Sequence, residues 1–271
     1  MNKMNDLKNL LFLTKNKNET NIINKSSIPI YVSLTSIFSN QSILLNTLKS
    51  LLDQTLKPNK IFLYLSEEPY LLDNGFANKK ITNTDLLNLI NKNNIIVIKW
   101  VNNIGSYRKL IPILKEKWNE NCFIISVNDN IIYSNKLIQN FINDYNKYKC
   151  AINYSGFTPL FEELKYFDYN KKDKLENNYI YNFETSSSGI LYKPEFFYDT
   201  YDLIFDQNTY LNICKNDNIW FYIMRIINNI KCYIDNNKTK WFVKEIRLNK
   251  SNEVNNNILF KNTINKLNLY L

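Results

Sequence analysis

The sequence predicts an α/β protein built on a largely parallel sheet, and two patterns predict it. Short apolar runs fit for buried strands alternate with amphipathic stretches of helical period, and the alternation repeats from Ile28 to Tyr154. No internal repeat or low-complexity linker interrupts the 271 residues, so one domain is the simpler expectation.

Residues Met1–Ser27 are polar, rich in Asn and Lys and weakly patterned, and are expected to form a flexible or loosely packed lead-in. Ile28–Leu34 then reads as a buried strand. Ser39 and Asn40 offer N-caps for a helix whose apolar stripe is Ile43, Leu44, Thr47, Leu48, Leu51 and Leu52. Lys57-Pro58-Asn59 closes it, and Ile61–Leu65 is the second strand. A helix marked by Leu86, Leu87, Leu89 and Ile90 leads to a strand at Ile95–Trp100. A helix marked by Leu110, Ile111, Ile113, Leu114 and Trp118 leads to a strand at Cys122–Val127. A helix marked by Leu137, Ile138, Phe141, Ile142 and Tyr145 leads to Ala151–Tyr154. From Gly156 the alternation stops. Phe161–Tyr181 mixes charged and aromatic residues without a period and reads as a long functional loop or irregular region. Order returns at Gly189–Tyr192, and Ile219–Ile230 predicts one more helix; the stretch beyond is basic and ambiguous.

Composition narrows the function classes. Hydrophobic residues make up 45% and aromatics 14%, which is a globular balance. The net charge of +9 is spread along the chain and suits phosphate-bearing partners, although a lysine-rich surface gives the same number for solubility alone. A basic cluster interleaved with exposed aromatics is missing, so nucleic acid is not the expected partner. Cys122, Cys150, Cys214 and Cys232 are far apart and the chain has no His, which argues against structural zinc and for buried free thiols in a reducing compartment. The apolar knot Leu10-Leu11-Phe12-Leu13 is too short to span a membrane. A cytoplasmic protein is expected.

In parallel sheets ligands gather at the carboxyl ends of the strands. Those ends carry Thr35-Ser36, Ser66-Glu67-Glu68, Asn102-Asn103 and Asn128-Asp129-Asn130. Several of these segments, in order, resemble blocks of a family of bacterial and viral glycosyltransferases of the GT-A type. Ser33-Leu34-Thr35-Ser36 and Ile61–Ser66 resemble its opening. Gly105-Ser106-Tyr107-Arg108-Lys109-Leu110-Ile111-Pro112 resembles its Gly-Ser-Tyr-Lys-Lys-Leu-Ile-Pro block. Val127–Tyr133 resembles its Val-Asp-Asp-Asp-Ile-Ile-Tyr block. Ser188–Tyr192 and Asp217-Asn218-Ile219-Trp220 resemble its Gly-Gly-Val-Leu-Tyr and Asp-Asp-Ile-Trp blocks.

The resemblance implies a Rossmann-like nucleotide-binding half (28–155) joined to an acceptor-binding half (156–271). It implies a transferase that moves a hexose or similar unit from a nucleoside diphosphate sugar to a glycan or glycolipid acceptor, with inversion and with Mn²⁺ or Mg²⁺. Peripheral association with the cytoplasmic face of a membrane would fit a lipid-linked acceptor. The chain departs from the pattern at acidic positions: Asn128 and Asn130 flank the retained Asp129, Asn103 stands where Asp is frequent, and Asn218 replaces the second Asp before Ile-Trp. Amide oxygens at Asn128 and Asn130 still accept hydrogen bonds, but they attract a divalent cation less than carboxylates do, so a metal at Asn130 is expected to be weak or lost. The alternative function is a catalytically inactive sugar-nucleotide or glycan-binding domain.

Each candidate residue has a functional and a structural reading. Thr35, Ser36, Asn103, Asn128 and Asp129 fall on the donor side; Thr35 and Ser36 equally suit capping of the next turn, and 128–130 a polar turn. Arg108 and Lys109, after a glycine turn at a helix start, suit neutralisation of a diphosphate or an ordinary solvated helix face. Asp217 suits a general base or a helix N-cap. The resemblance puts Ser188, Gly189 and Trp220 on the acceptor side, whereas the apolar flanks of Trp220 alone read as core.

Overall fold

The computed structural model describes residues 27–162, 166–173, 175–245 and 256–267. The predicted lead-in lies outside the described residues, apart from its last residue. Strands β1 (Ile30–Thr35), β2 (Lys60–Leu65), β3 (Ile96–Trp100) and β4 (Phe123–Ser126) pair in parallel in the order β3-β2-β1-β4. Helices α1 (Gln41–Leu52), α2 (Thr84–Lys92) and α3 (Ile111–Lys117) make the connections. The predicted strands and helices of this half are present, with ends that coincide or shift by no more than four residues. β2 and β4 are buried almost throughout, as strands covered on both faces must be. β3, at the sheet's edge, is half-buried after Ile96.

The sheet does not stop with the first half of the chain. The short strand β5 (Ile131–Tyr133) and helix α4 (Leu137–Tyr148) lead to β6 (Ala151–Asn153). Strand β11 (Ile190–Tyr192) then inserts antiparallel between β4 and β6, and β12 (Cys232–Ile234) runs parallel to β6. With β9 (Asn178–Tyr179) at the far edge, eight strands from both halves form one mostly parallel sheet. Gly189 makes the insertion of β11 possible. Its φ is +72°, and a Cβ there would lie 3.1 Å from Val127 Cγ1 and 3.3 Å from the Ser126 carbonyl.

The region expected to be a loop contains a hairpin. β7 (Gly156–Glu162) pairs antiparallel with β8 (Tyr166–Asp173), with a register irregularity between Pro159 and Leu160, and β10 (Phe183–Glu184) adds to β7. In its sequence aromatic and charged residues follow one another with neither period 2 nor period 3.6, and backbone pairing defines it instead. The C-terminal part supplies α5 (Asp217–Ile227), β13 (Phe242–Glu245) paired with β5, and α6 (Asn256–Leu267). The four cysteines are buried free thiols. Among the described residues no helix is long and apolar enough to cross a membrane.

Candidate functional site

The turns that follow β1, β2, β3 and β4 hold most of the candidate residues. After β1, the Thr35 hydroxyl donates back to the Tyr64 carbonyl at 2.8 Å, and Ser36 Oγ donates to Asp129 Oδ2 at 2.5 Å. Asn40, expected as a cap, is the cap residue of α1 by position only. Its side-chain amide donates instead to Asp129 Oδ2 at 3.1 Å. The Asp129 carbonyl accepts from Thr47 at 2.7 Å. Asp129 therefore ties the turn after β4 to the start of α1. Burial raises its carboxyl pKa above the ordinary value, and the Ser36 and Asn40 hydrogen bonds oppose that rise.

On either side of Asp129 the two amides differ. Asn128 Nδ2 donates to Ser186 Oγ at 3.2 Å, and its backbone N–H donates to the Tyr133 hydroxyl at 2.9 Å. Asn130 is half-buried at the head of the turn into β5. Among the described residues no group of three or more His, Cys, Asp or Glu is placed to hold a metal ion.

Arg108 and Lys109 lie on a 3₁₀ turn, Gly105–Lys109, which precedes α3. They do not form a solvated helix face. Arg108 is 1% exposed: Nη2 donates to Asp73 Oδ2 at 2.8 Å and Nε to the Gly105 carbonyl at 3.1 Å. Its Nη1 has neither solvent contact nor a hydrogen-bond partner among the described residues. Desolvation depresses the guanidinium pKa, and the hydrogen bond and charge of Asp73 pull it back up.

Asp73 is the residue that the sequence reading missed. Its Oδ1 accepts from the backbone N–H groups of Phe38 and Gly75, and its Oδ2 from Arg108 and Asn103. Asp73-Asn74-Gly75 was a legible turn signal. Gly75 has φ +72°, and a Cβ there would come within 2.3 Å of the Glu67 carbonyl. Asn103 serves this same loop. Its Nδ2 donates to the Glu68 carbonyl at 2.7 Å and to Asp73 at 3.1 Å, and its Oδ1 accepts from the Gly105 N–H. An aspartate at 103 has no amide hydrogens to make those two contacts, and would face Asp73 with like charge.

The second half contributes Asp217, in the first turn of α5. Its Oδ1 accepts from Ser106 Oγ at 2.6 Å. Its Oδ2 lies 2.6 Å from Lys109 Nζ, close enough for an ion pair but off the axis of a hydrogen bond. The N-cap of α5 is Asn216, whose Oδ1 accepts from the N–H groups of Asn218 and Ile219. The capping explanation of Asp217 thus passes to its neighbour, and the carboxylate faces the Gly105–Lys109 turn.

Three residues expected on the acceptor side have other surroundings. Ser188 is fully buried, where its hydroxyl accepts from Asn153 Nδ2 and the Tyr154 N–H. Gly189 acts through its backbone, as described above. Trp220 is fully buried with Nε1 aimed at the Ile204 carbonyl, the core placement that its flanks indicated. Neither Ser188 nor Trp220 offers a side-chain surface to an acceptor in this structure.

No family model and no curated protein matches the chain. Solved structures do match. The crystal structure of S. aureus TarS 1-349 in complex with UDP-GlcNAc aligns with a TM-score of 0.51 at 12% identity, over 82% of this chain and 60% of that one. TarS 1-349 alone gives 0.49 at 11% identity, over 76% and 58%. A 4-diphosphocytidyl-2C-methyl-D-erythritol synthase gives 0.47 at 7% identity, over 83% and 94%. The chain spans about three fifths of the TarS structures it matches. The likeness is one of fold, and it agrees with the α/β, Rossmann-like GT-A architecture that the sequence blocks implied.

Proposed function

We propose that this chain is a glycosyltransferase that moves a sugar from a nucleoside diphosphate sugar to a glycan or lipid-linked acceptor. The observation that carries the reading is the grouping of Arg108, Lys109 and Asp217 with Asp129 in the turns at the strand ends: Lys109 pairs with Asp217, which reaches there from the second half, and the Asp129 carboxylate interacts electrostatically with Arg108 and Lys109. The fold likeness to a protein solved with UDP-GlcNAc supports it.

In this reading residues 28–155 bind the nucleotide and residues 156–271 receive the acceptor. The bond from the anomeric carbon to the diphosphate oxygen breaks, and the departing electron pair is stabilised by the cationic side chains. The acceptor oxygen forms the new bond, with inversion, and its proton passes to Asp217. Both Asp217 oxygens are engaged in the present structure, so the acceptor hydroxyl must displace Ser106 or Lys109 to reach one. Ser106 is exposed and Lys109 is not, which makes Ser106 the easier to displace. Peripheral contact with an anionic membrane surface, supported by the net charge of +9, would bring the site to a lipid-linked acceptor.

Incubating the protein with a panel of UDP- and GDP-sugars and candidate acceptors tests this reading by following nucleotide release and product. Asp217→Asn should lower transfer about a hundredfold or more and leave UDP or GDP binding unchanged. The second reading, an inactive nucleotide-sugar binding domain, is favoured by the masking of Asp217. It wins if nucleotide binds but neither hydrolysis nor transfer occurs with any donor.

A further inference from the structure

The turn after β4 is a poor place for a divalent cation. Asp129 brings the single carboxylate, and its Oδ2 already accepts from Ser36 and Asn40. Asn128 is turned to Ser186 through its Nδ2, and Asn130 brings a neutral amide. Mg²⁺ and Mn²⁺ favour hard, charged oxygen donors, and Asp73 and Asp217 are each already paired with a cationic side chain. This donor set does not fit a resident cation.

The same region has positive charge of its own. Arg108 is held on two sides and leaves a third donor, Nη1, out of water and without a partner among the described residues. A buried guanidinium N–H in that state is costly, and an anion relieves the cost. Asp73 fixes the direction of the fork, and is itself fixed by Phe38, Gly75 and Asn103. The amide at 103 has a physical sense here, because Asn103 shares Asp73 Oδ2 with this arginine without adding a second negative charge beside it.

We propose that Arg108, set in place by Asp73, binds the donor diphosphate in the role a divalent cation would otherwise fill, so that nucleotide binding is independent of Mn²⁺ and Mg²⁺. The proposal rests on the nucleotide-sugar reading above. Because Nη1 is closed to solvent, the nucleotide reaches it through a local opening around Arg108. Asp73 is a positioning residue.

Calorimetric titration of the full chain with UDP and GDP, and with UMP and GMP, in EDTA and then in Mn²⁺, tests the proposal. The expected result is a diphosphate Kd that changes by less than about threefold between the two conditions. Arg108→Lys keeps the charge but loses the planar fork, and should weaken diphosphate binding by about tenfold or more while monophosphate binding holds. Asp73→Asn should give the same selective loss, which a merely structural role would spread over both ligands. Diphosphate binding that appears only with Mn²⁺ overturns the proposal, and so does equal loss of mono- and diphosphate in the variants. The EDTA comparison needs no variant and so decides the matter even if neither variant folds. Absence of all nucleotide binding in both conditions instead removes the nucleotide-sugar reading, and this proposal with it.

Discussion

Two buried arginines, Arg225 on α5 and Arg108 before α3, are each held by a carboxylate, and they differ in what is left over. Arg225 meets Glu184 with two parallel bonds, Nε to Oε1 at 3.0 Å and Nη2 to Oε2 at 2.9 Å. Its remaining donors go to the carbonyls of Ile180, Ile230 and Asn182. Charge, fork and N–H groups are all satisfied, and the pair joins α5 to the strands of the second half. Arg108 makes one bond to Asp73 and one to Gly105, and among the described residues its Nη1 has no partner. A saturated buried ion pair is scaffold, whereas an unsaturated one at the strand ends is a place to put an anion. The carboxylates differ in the opposite sense. Among the described residues Asp73 has three donors besides its arginine, and Glu184 has the Tyr192 hydroxyl alone.

That contrast can be broken by experiment. The largest effect is expected for Arg225→Met, which strands Glu184 out of water beside one hydroxyl. The loss should be about 3–5 kcal/mol of stability, read from the urea midpoint. Arg108→Met should cost less, about 1–3 kcal/mol, because Asp73 keeps its other donors and one unsatisfied N–H disappears with the side chain. Equal losses for the two variants would mean that the arginines play the same part, and the division into scaffold and site would fall. The smallest effect belongs to Asp129, whose carboxyl is raised by burial above the ordinary aspartate value of 3.8. The native state then holds that proton more tightly than the unfolded chain does. Its contribution to stability is full below the ordinary value and fades as pH rises through the raised one. Asp129→Asn keeps an acceptor oxygen for Ser36 and Asn40, so urea midpoints measured upward from acid pH should fall less steeply in the variant. An unchanged slope would show that Asp129 does not titrate differently in the folded protein.

The first half of the fold was legible because its elements carry strong local patterns. Leu44, Thr47, Leu48 and Leu51 are the buried face of α1, as their spacing indicated. The hairpin β7–β8 was illegible because its residues have no apolar period to read. Arg108 and Lys109 were singled out through their block, but their partners were not. Asp73 is 35 residues from Arg108 and Asp217 is 111 from Ser106, separations over which sequence carries no signal of contact. Asn40 and Asn216 show the same gap at short range. Both are good caps by type, and of the two only Asn216 caps through its side chain; Asn40 is turned to Asp129, to which its Nδ2 donates.

The amino-acid sequence by itself determined the α/β class, the order of the parallel strands' elements and the polar character of the turns at their carboxyl ends, since these follow from local period and residue type. Tertiary structure decided which polar group meets which. It set Asn103 as a brace, buried Ser188 and Trp220, gave Asp217 to Lys109 and Ser106, and left Arg108 one acceptor short among the described residues. Those outcomes depend on distances between segments far apart in the chain, and the competition among donors and acceptors is settled only when the sheet brings them together.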